Sequence, residues 1–231
     1  KNDCDPDPRV IQSARWLTEK GHQVTIHAYD RQQASSALSI IDDVKIIRYH
    51  LGKSPYGGLL KTGLGIRKFH KSVFSKLSVD SPDVVVCHDA DTLGVGYRIK
   101  QKFGIKLVLD MHDLQHTWVL MPNPKSLIRK AISKVIQQKL LQRLKYVDQI
   151  FTSSGALEGG TYPGFKEWLL KHGYDSTVIE NRPELVEQVS LPSSENWTVS
   201  HIGRIRDLAS IKLLLDAVKL ISESQRPVLH I

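Results

Sequence analysis

Residues 83–113 read DVVVCHDADTLGVGYRIKQKFGIKLVLDMHD, and the order of their parts decides the fold. The run 83–88 is apolar without alternation, as a central parallel strand buried on both faces requires. Residues 91–103 follow at helical spacing and stop at Gly104, a residue suited to ending helices. IKLVLD (105–110) is the next buried strand. A strand, a helix and a second strand in that order make one unit of a parallel sheet.

The same rhythm extends both ways. Upstream, Asp7 and Pro8 suit the start of a helix and Gly21 its end, with Val10, Ile11, Ala14 and Leu17 at helical spacing. QVTIHAY (23–29) alternates as a strand, VKIIRY (44–49) is another, and 62–79 is a basic helix with Leu64, Phe69, Val73, Phe74 and Leu77 for packing. Downstream, the long basic helix 125–146 carries Ile128, Ile132, Val135, Ile136, Leu140 and Leu144 on one stripe, which suits packing on the core or lying on a lipid surface. DQIFTS (148–153), a helix over 164–172 closed by Gly173, and STVIE (176–180) complete the series. The fold class expected is α/β, a Rossmann-like doubly wound parallel sheet.

NRPELVEQVSLPSSEN (181–196) breaks the rhythm with two prolines and a polar run. It reads as a linker between a domain over 1–180 and the start of a second α/β domain over 197–231. One strand, one helix and one further apolar run cannot enclose a core, and the series opens on a helix with no apolar strand before it. The expectation is a chain lacking material at both ends.

With 231 residues and 41% hydrophobic content, the chain has enough apolar material for a packed core. No apolar run approaches the ~18 residues of a membrane span, and no signal-peptide core is visible at the N-terminus. Cys4 and Cys87 sit in such different settings that a disulfide framework is not expected, which points to a reducing, cytoplasmic location. The net charge of +8 is uneven. Residues 50–79 carry six Lys/Arg and no acid, and residues 125–145 carry seven and no acid, so the rest of the chain is net acidic. An anionic partner for one surface is implied. Nucleic acid is not expected, since no helix-turn-helix, RNA-recognition or zinc pattern accompanies the charge.

In open α/β sheets ligands gather beyond the carboxyl ends of the strands. Three such ends carry polar groups here: His88-Asp89-Ala90-Asp91-Thr92, Asp110-Met111-His112-Asp113 and Gly203-Arg204-Ile205-Arg206-Asp207. Asp89 and Asp91 also suit capping of the next helix, and His88 also suits a structural role. Asp110, still in its strand, is expected to bond backbone groups. Asp110, His112 and His116 offer metal donors, though their spacing matches no zinc signature. Gly203 permits close backbone approach, the Arg204 guanidinium suits phosphate oxygens, and the helix that follows adds a partly positive end. GLGIRK (63–68) and GVGYRI (94–99) lack a third glycine at dinucleotide-binding spacing, and GGLLKT (57–62) is no phosphate-binding Walker loop.

Taken in order, DPRVIQSARWLTEKGHQVTIHA, PDVVVCHDADTL, KLVLDMHDL, VDQIFTSS, VIENRPE and HIGRIRDLASIKLLLDA resemble the retaining GT-B glycosyltransferases of family 4. The resemblance implies two Rossmann-like domains with a cleft between them, and transfer of a sugar from a UDP- or GDP-sugar to a glycan or lipid-linked acceptor, with no metal or other cofactor. Carried over by motif, Gly203 and Arg204 meet the donor diphosphate, with Arg206 beside them. His112 lies near the transferred sugar and, with Asp113, forms the catalytic pair. Asn181 belongs to the hinge, while Arg9, His88, Asp89 and Asp91 line the acceptor side. Two departures stand out. Ala209-Ser210 occupy the place of the family's Lys-Gly, and Asn181-Arg182 that of its Asn-Gly. The family's glutamate motif and base pocket would follow Ile231, so these residues alone are not expected to turn over.

Two rivals remain at this level. One is a non-catalytic basic α/β scaffold binding an anionic membrane surface or polymer through 50–79 and 125–145. The other is a metal-dependent hydrolase built on the Asp/His clusters.

Overall fold

A computed structural model of the chain describes residues 4, 7–53, 59–155, 164–180, 198–200, 208–223 and 226–230. The chain divides into two compact units, Lys1–Arg182 and Pro183–Ile231. The first contains, in order, α1 (Pro8–Glu19), β1 (Thr25–Ala28), β2 (Leu38–Ile41), β3 (Val44–Arg48), α2 (Leu59–Leu77), β4 (Val84–His88), α3 (Leu93–Phe103), β5 (Lys106–Met111), the short α4 (Gln115–Trp118), α5 (Leu127–Leu144), β6 (Gln149–Thr152), α6 (Phe165–Lys171) and β7 (Thr177–Val178).

Strands β4, β5, β6 and β7 form one sheet in that order, parallel throughout. Strands β1, β3 and β2 form another, with β1–β3 parallel and β2 antiparallel to β3. The hairpin β2–β3 is absent from the sequence reading. Its turn is Asp42-Asp43, whose φ angles of 49° and 62° are both left-handed, the geometry of a two-residue turn that matches strand twist. Aspartate tolerates that region better than most residues, so a pair of acids between apolar runs is enough to close the loop.

Three apolar clusters hold the unit together. On one face of the four-stranded sheet, Cys87, Leu107, Leu109, Met111 and Ile150 pack with Leu93 of α3, Leu140 and Leu144 of α5, and Leu169 of α6. Phe69 and Val73 of α2 meet Val95 and Ile99 of α3, with Tyr29 after β1 and Val85 of β4 joining them. That cluster ties the two sheets to one another. Cys4, Ala14, Ala28, Val44 and Ile46 fix α1 against the three-stranded sheet. Gly96 lets α3 lie close on the strands, since a Cβ there would collide with Cys87 Sγ and Leu107. This is the structural use of the glycines in GVGYRI.

Burial of 83–88 on both faces does not hold. Val84 and Val86 are nearly half exposed, while Val85 and Cys87, on the opposite face of β4, pack with the helices. Gly104 ends α3 in the left-handed region at φ 68°, as expected. α5 starts at Leu127, behind Ser126, whose Oγ accepts the Arg129 N–H. Its stripe divides: Leu140 and Leu144 enter the core, while Ile128 and Val135 face solvent.

The second unit holds β8 (Thr198–Ser200), α7 (Leu208–Lys219) and β9 (Val228–His230), with β8 and β9 parallel. The linker 181–196 and the Gly203-Arg204 turn lie outside the described residues. No helix among the described residues is long and apolar enough to cross a membrane.

Candidate functional site

The site is built where β4 and β5 end. Their parallel register pairs His88 with Asp110, so the two side chains stand next to each other on one face. Asp110 and His112 are two apart on an extended chain and therefore share that face. The result is that Asp110 Oδ2 lies 3.0 Å from Nδ1 of His88 and 2.8 Å from Nε2 of His112. A carboxylate only accepts, so both of those ring nitrogens carry protons, which fixes the tautomer of either ring when neutral. Asp110 thus bonds two imidazoles rather than the backbone groups expected of it.

Asp89 does the second half of the positioning. It takes a left-handed φ of 65° and donates its N–H to the Asp110 carbonyl at 2.8 Å. Its Oδ1 accepts the backbone N–H of His112 at 2.8 Å and of Asp113 at 3.1 Å. Capping of α3 is not its task. The residue before α3 is Thr92, with no side-chain cap bond; its hydroxyl instead donates to the carbonyls of His88 and Asp89. Asp91 is buried, and its carbonyl accepts Nε2–H of His70, on α2, at 2.7 Å.

Charge follows from these contacts. Burial alone would raise the Asp110 pKa, but the hydrogen bonds from His112 and His88 outweigh it and hold the carboxyl far below the usual range. Burial likewise opposes a charged His112, yet the hydrogen bond and charge of Asp110 win, and its pKa rises. Asp89 moves the other way: burial raises it, only partly offset by the His112 N–H. Arg9, at the start of α1, is close enough for its charge to work against protonation of His112. Its own Nε donates to Asp7 at 3.4 Å.

The structure therefore gathers His88, Asp89, Asp110, His112 and the backbone of Asp113, with Arg9 within electrostatic reach. Asn181, Gly203, Arg204 and Arg206 lie outside the described residues. His88, Asp110 and His112 also place their ligand atoms within 4.8 Å of one another, a donor set of two imidazoles and a carboxylate that suits a divalent metal. His116 is not part of that group among the described residues. Its ring is buried and stacks on Trp168 at 5.6 Å between centroids, so the Asp110–His112–His116 combination fails. The bond network of Asp110 is what sequence reasoning missed. The signal was present, in an Asp-x-His at the end of one strand beside a His at the end of its neighbour.

A family model for the glycosyl transferase 4-like domain matches residues 6–159, two thirds of the chain and the whole of this cluster. The chain belongs to that family. No curated protein matches it in sequence. Among solved structures it is similar to sucrose-phosphate synthase from Thermosynechococcus elongatus, at 14% identity and a TM-score of 0.53, over 74% of this chain and 41% of that one. It is also similar to Arabidopsis thaliana UGT89C1 complexed with UDP-L-rhamnose, at 15% identity and a TM-score of 0.52, over 92% of this chain and 59% of that one. The chain thus spans less than two thirds of either. At such identities the likeness is one of fold, and it gives this glycosyl transferase 4-like chain the Rossmann-like architecture of the GT-B glycosyltransferases.

Proposed function

We propose that this protein is a retaining glycosyltransferase that moves a sugar from a UDP- or GDP-sugar to a glycan or lipid-linked acceptor. The observation that carries the reading is His112, held at the end of β5 by Asp110 and Asp89 within a glycosyl transferase 4-like chain. In this reading 1–180 form the acceptor-side domain, 181–196 the linker with Asn181 at the hinge, and 197–231 the donor side, with catalysis in the cleft between the domains. His112 and Asp113 lie at the transferred sugar. Arg9, His88, Asp89 and Asp91 belong to the acceptor side, and Gly203, Arg204 and Arg206 to the diphosphate.

The chemistry asks for such an arrangement. The bond from the anomeric carbon to the diphosphate breaks with its electron pair going to phosphate oxygen. A new bond forms to an acceptor oxygen, whose proton passes to the departing diphosphate. Negative charge grows on the leaving diphosphate, and a preplaced arginine stabilises it more in the transition state than before it. No metal is needed in this scheme. The His88–Asp110–His112 donor set favours the second reading, a metal-dependent hydrolase, and a chelator separates the two. Transfer should continue in its presence, whereas hydrolysis would stop.

In this reading the protein works at the cytoplasmic face of a membrane, held to anionic lipid through the cations of 50–79 and 125–145. The test of the whole reading is release of nucleoside diphosphate from UDP- and GDP-sugars by the full-length protein. Loss of release in the Arg204→Ala and His112→Ala proteins supports the reading, and unaltered release in both removes it.

A further inference from the structure

We propose that His88, Asp110 and His112 bind zinc, and that the bound metal switches transfer off by engaging His112. The switch rests on the glycosyltransferase reading above, whereas the site does not. In that reading no metal takes part, so zinc is here an inhibitor and not a cofactor. The donors already converge: their ligand atoms lie within 4.8 Å of one another, the one such group of three among the described residues. Around a tetrahedral zinc, ligand atoms stand roughly 3.4 Å apart. Asp110 Oδ2 is 3.0 Å from His88 Nδ1 and 2.8 Å from His112 Nε2, so a spread of about half an ångström makes room for the ion.

Two imidazoles and a carboxylate are a donor set that zinc accepts with a fourth position left open. Nitrogen donors disfavour magnesium and calcium, which take oxygen. The side chains of His112 and Asp110 are only 6% and 15% exposed, which shields metal–ligand bonds from competing water. Asp89 holds the His112 backbone N–H and adds its charge in favour of a cation there, so the ring is set from two directions. The charge of Arg9 opposes binding.

What the metal replaces is a pair of protons. Nδ1 of His88 and Nε2 of His112 both direct an N–H at one carboxylate oxygen. Ligation needs both rings neutral, with the remaining proton on the far nitrogen, Nε2 of His88 and Nδ1 of His112. His112 is then tied by a metal bond and has no proton at Nε2. In the reading above this ring lies at the transferred sugar, where positive charge develops as the bond to the diphosphate breaks. A divalent cation beside that carbon repels the developing charge and raises the barrier.

The test is calorimetric titration of the full-length protein with zinc chloride, beside nucleoside diphosphate release with and without zinc. Zinc should bind the wild-type protein, and His88→Ala and Asp110→Asn should each weaken binding by more than the ~10–100-fold that loss of an outer-shell partner costs. His116→Ala, which alters a histidine outside the group, should leave the affinity unchanged. Circular dichroism confirms that each protein is folded. Saturating zinc should abolish release by the wild-type protein, and excess chelator should restore it. No zinc binding by the folded wild type, equal binding by the His88 and Asp110 variants, or an equal loss in His116→Ala overturns the site. Binding that leaves release untouched overturns the switch, and so does zinc-stimulated hydrolysis. A protein that binds zinc through these residues yet releases no diphosphate under any condition removes the glycosyltransferase reading and the switch with it, while supporting the site.

Discussion

His112 Nε2 donates to Asp110 Oδ2 at 2.8 Å, and this bond sets the charge at the end of β5. Burial would keep the imidazole neutral, and the carboxylate reverses that preference. An NMR titration of the wild-type protein should show His112 taking its proton above the ordinary histidine range. Asp110→Asn removes the charge while keeping the shape, so the same ring should then titrate below that range. A His112 signal that ignores the substitution would mean that Asp110 does not control it.

Asp89→Ala should destabilise the protein by ~1–3 kcal/mol, because the part-buried N–H groups of His112 and Asp113 lose their acceptor. The left-handed φ at this position adds to the loss for alanine. Asp89→Asn keeps an acceptor oxygen and tolerates that backbone region, so most of the stability should survive. Urea denaturation of the two variants makes the comparison, and equal losses would refute the bond's role.

Acid should destabilise the fold through His27. Burial, then the charges of Lys76 and Lys45, lower its pKa to about 4. The unfolded chain binds this proton near pH ~6.5, so stability is complete above that value and is lost as pH falls toward 4. The size is up to ~3 kcal/mol. His70 and His116, lowered chiefly by burial, act in the same direction. His112 has the opposite sign: its contribution is present below the unfolded pKa and disappears as pH rises through its raised folded value. Denaturation curves at pH 4.5 and 7 should differ less for His27→Leu than for the wild-type protein.

Gly96→Ala should cost ~1–3 kcal/mol, since the new methyl group meets Cys87 Sγ and Leu107 in the core. Cys87→Ala opens part of that space, so the double variant should lose less than the two single losses combined. Strict additivity in thermal melts would place the strain elsewhere.

The parallel strands and their helices were legible because long apolar runs and helical periodicity leave few alternatives. The hairpin β2–β3 was not, as LSII is short, half exposed and separated from β3 by two residues. Exposure of Val84 and Val86 was equally hidden: an apolar run does not say whether both faces of its strand are covered. At the site, the polar strand ends pointed to the right region. They did not reveal that Asp110 bridges two histidines, because that depends on the register pairing His88 with Asp110, a tertiary fact. The α5 stripe shows the same limit. One periodic pattern serves the core at Leu140 and Leu144 and the solvent at Ile128 and Val135.

The most direct measurement is nucleoside diphosphate release from UDP- and GDP-sugars by the full-length protein, with and without acceptor, for wild type, Arg204→Ala and His112→Ala. Release should fall by about 10²–10³ when Arg204 is removed, as for loss of a donor that stabilises developing negative charge. It should fall sharply without His112 and be indifferent to chelator. Full release in both variants, or release abolished by chelator alone, would contradict the assignment.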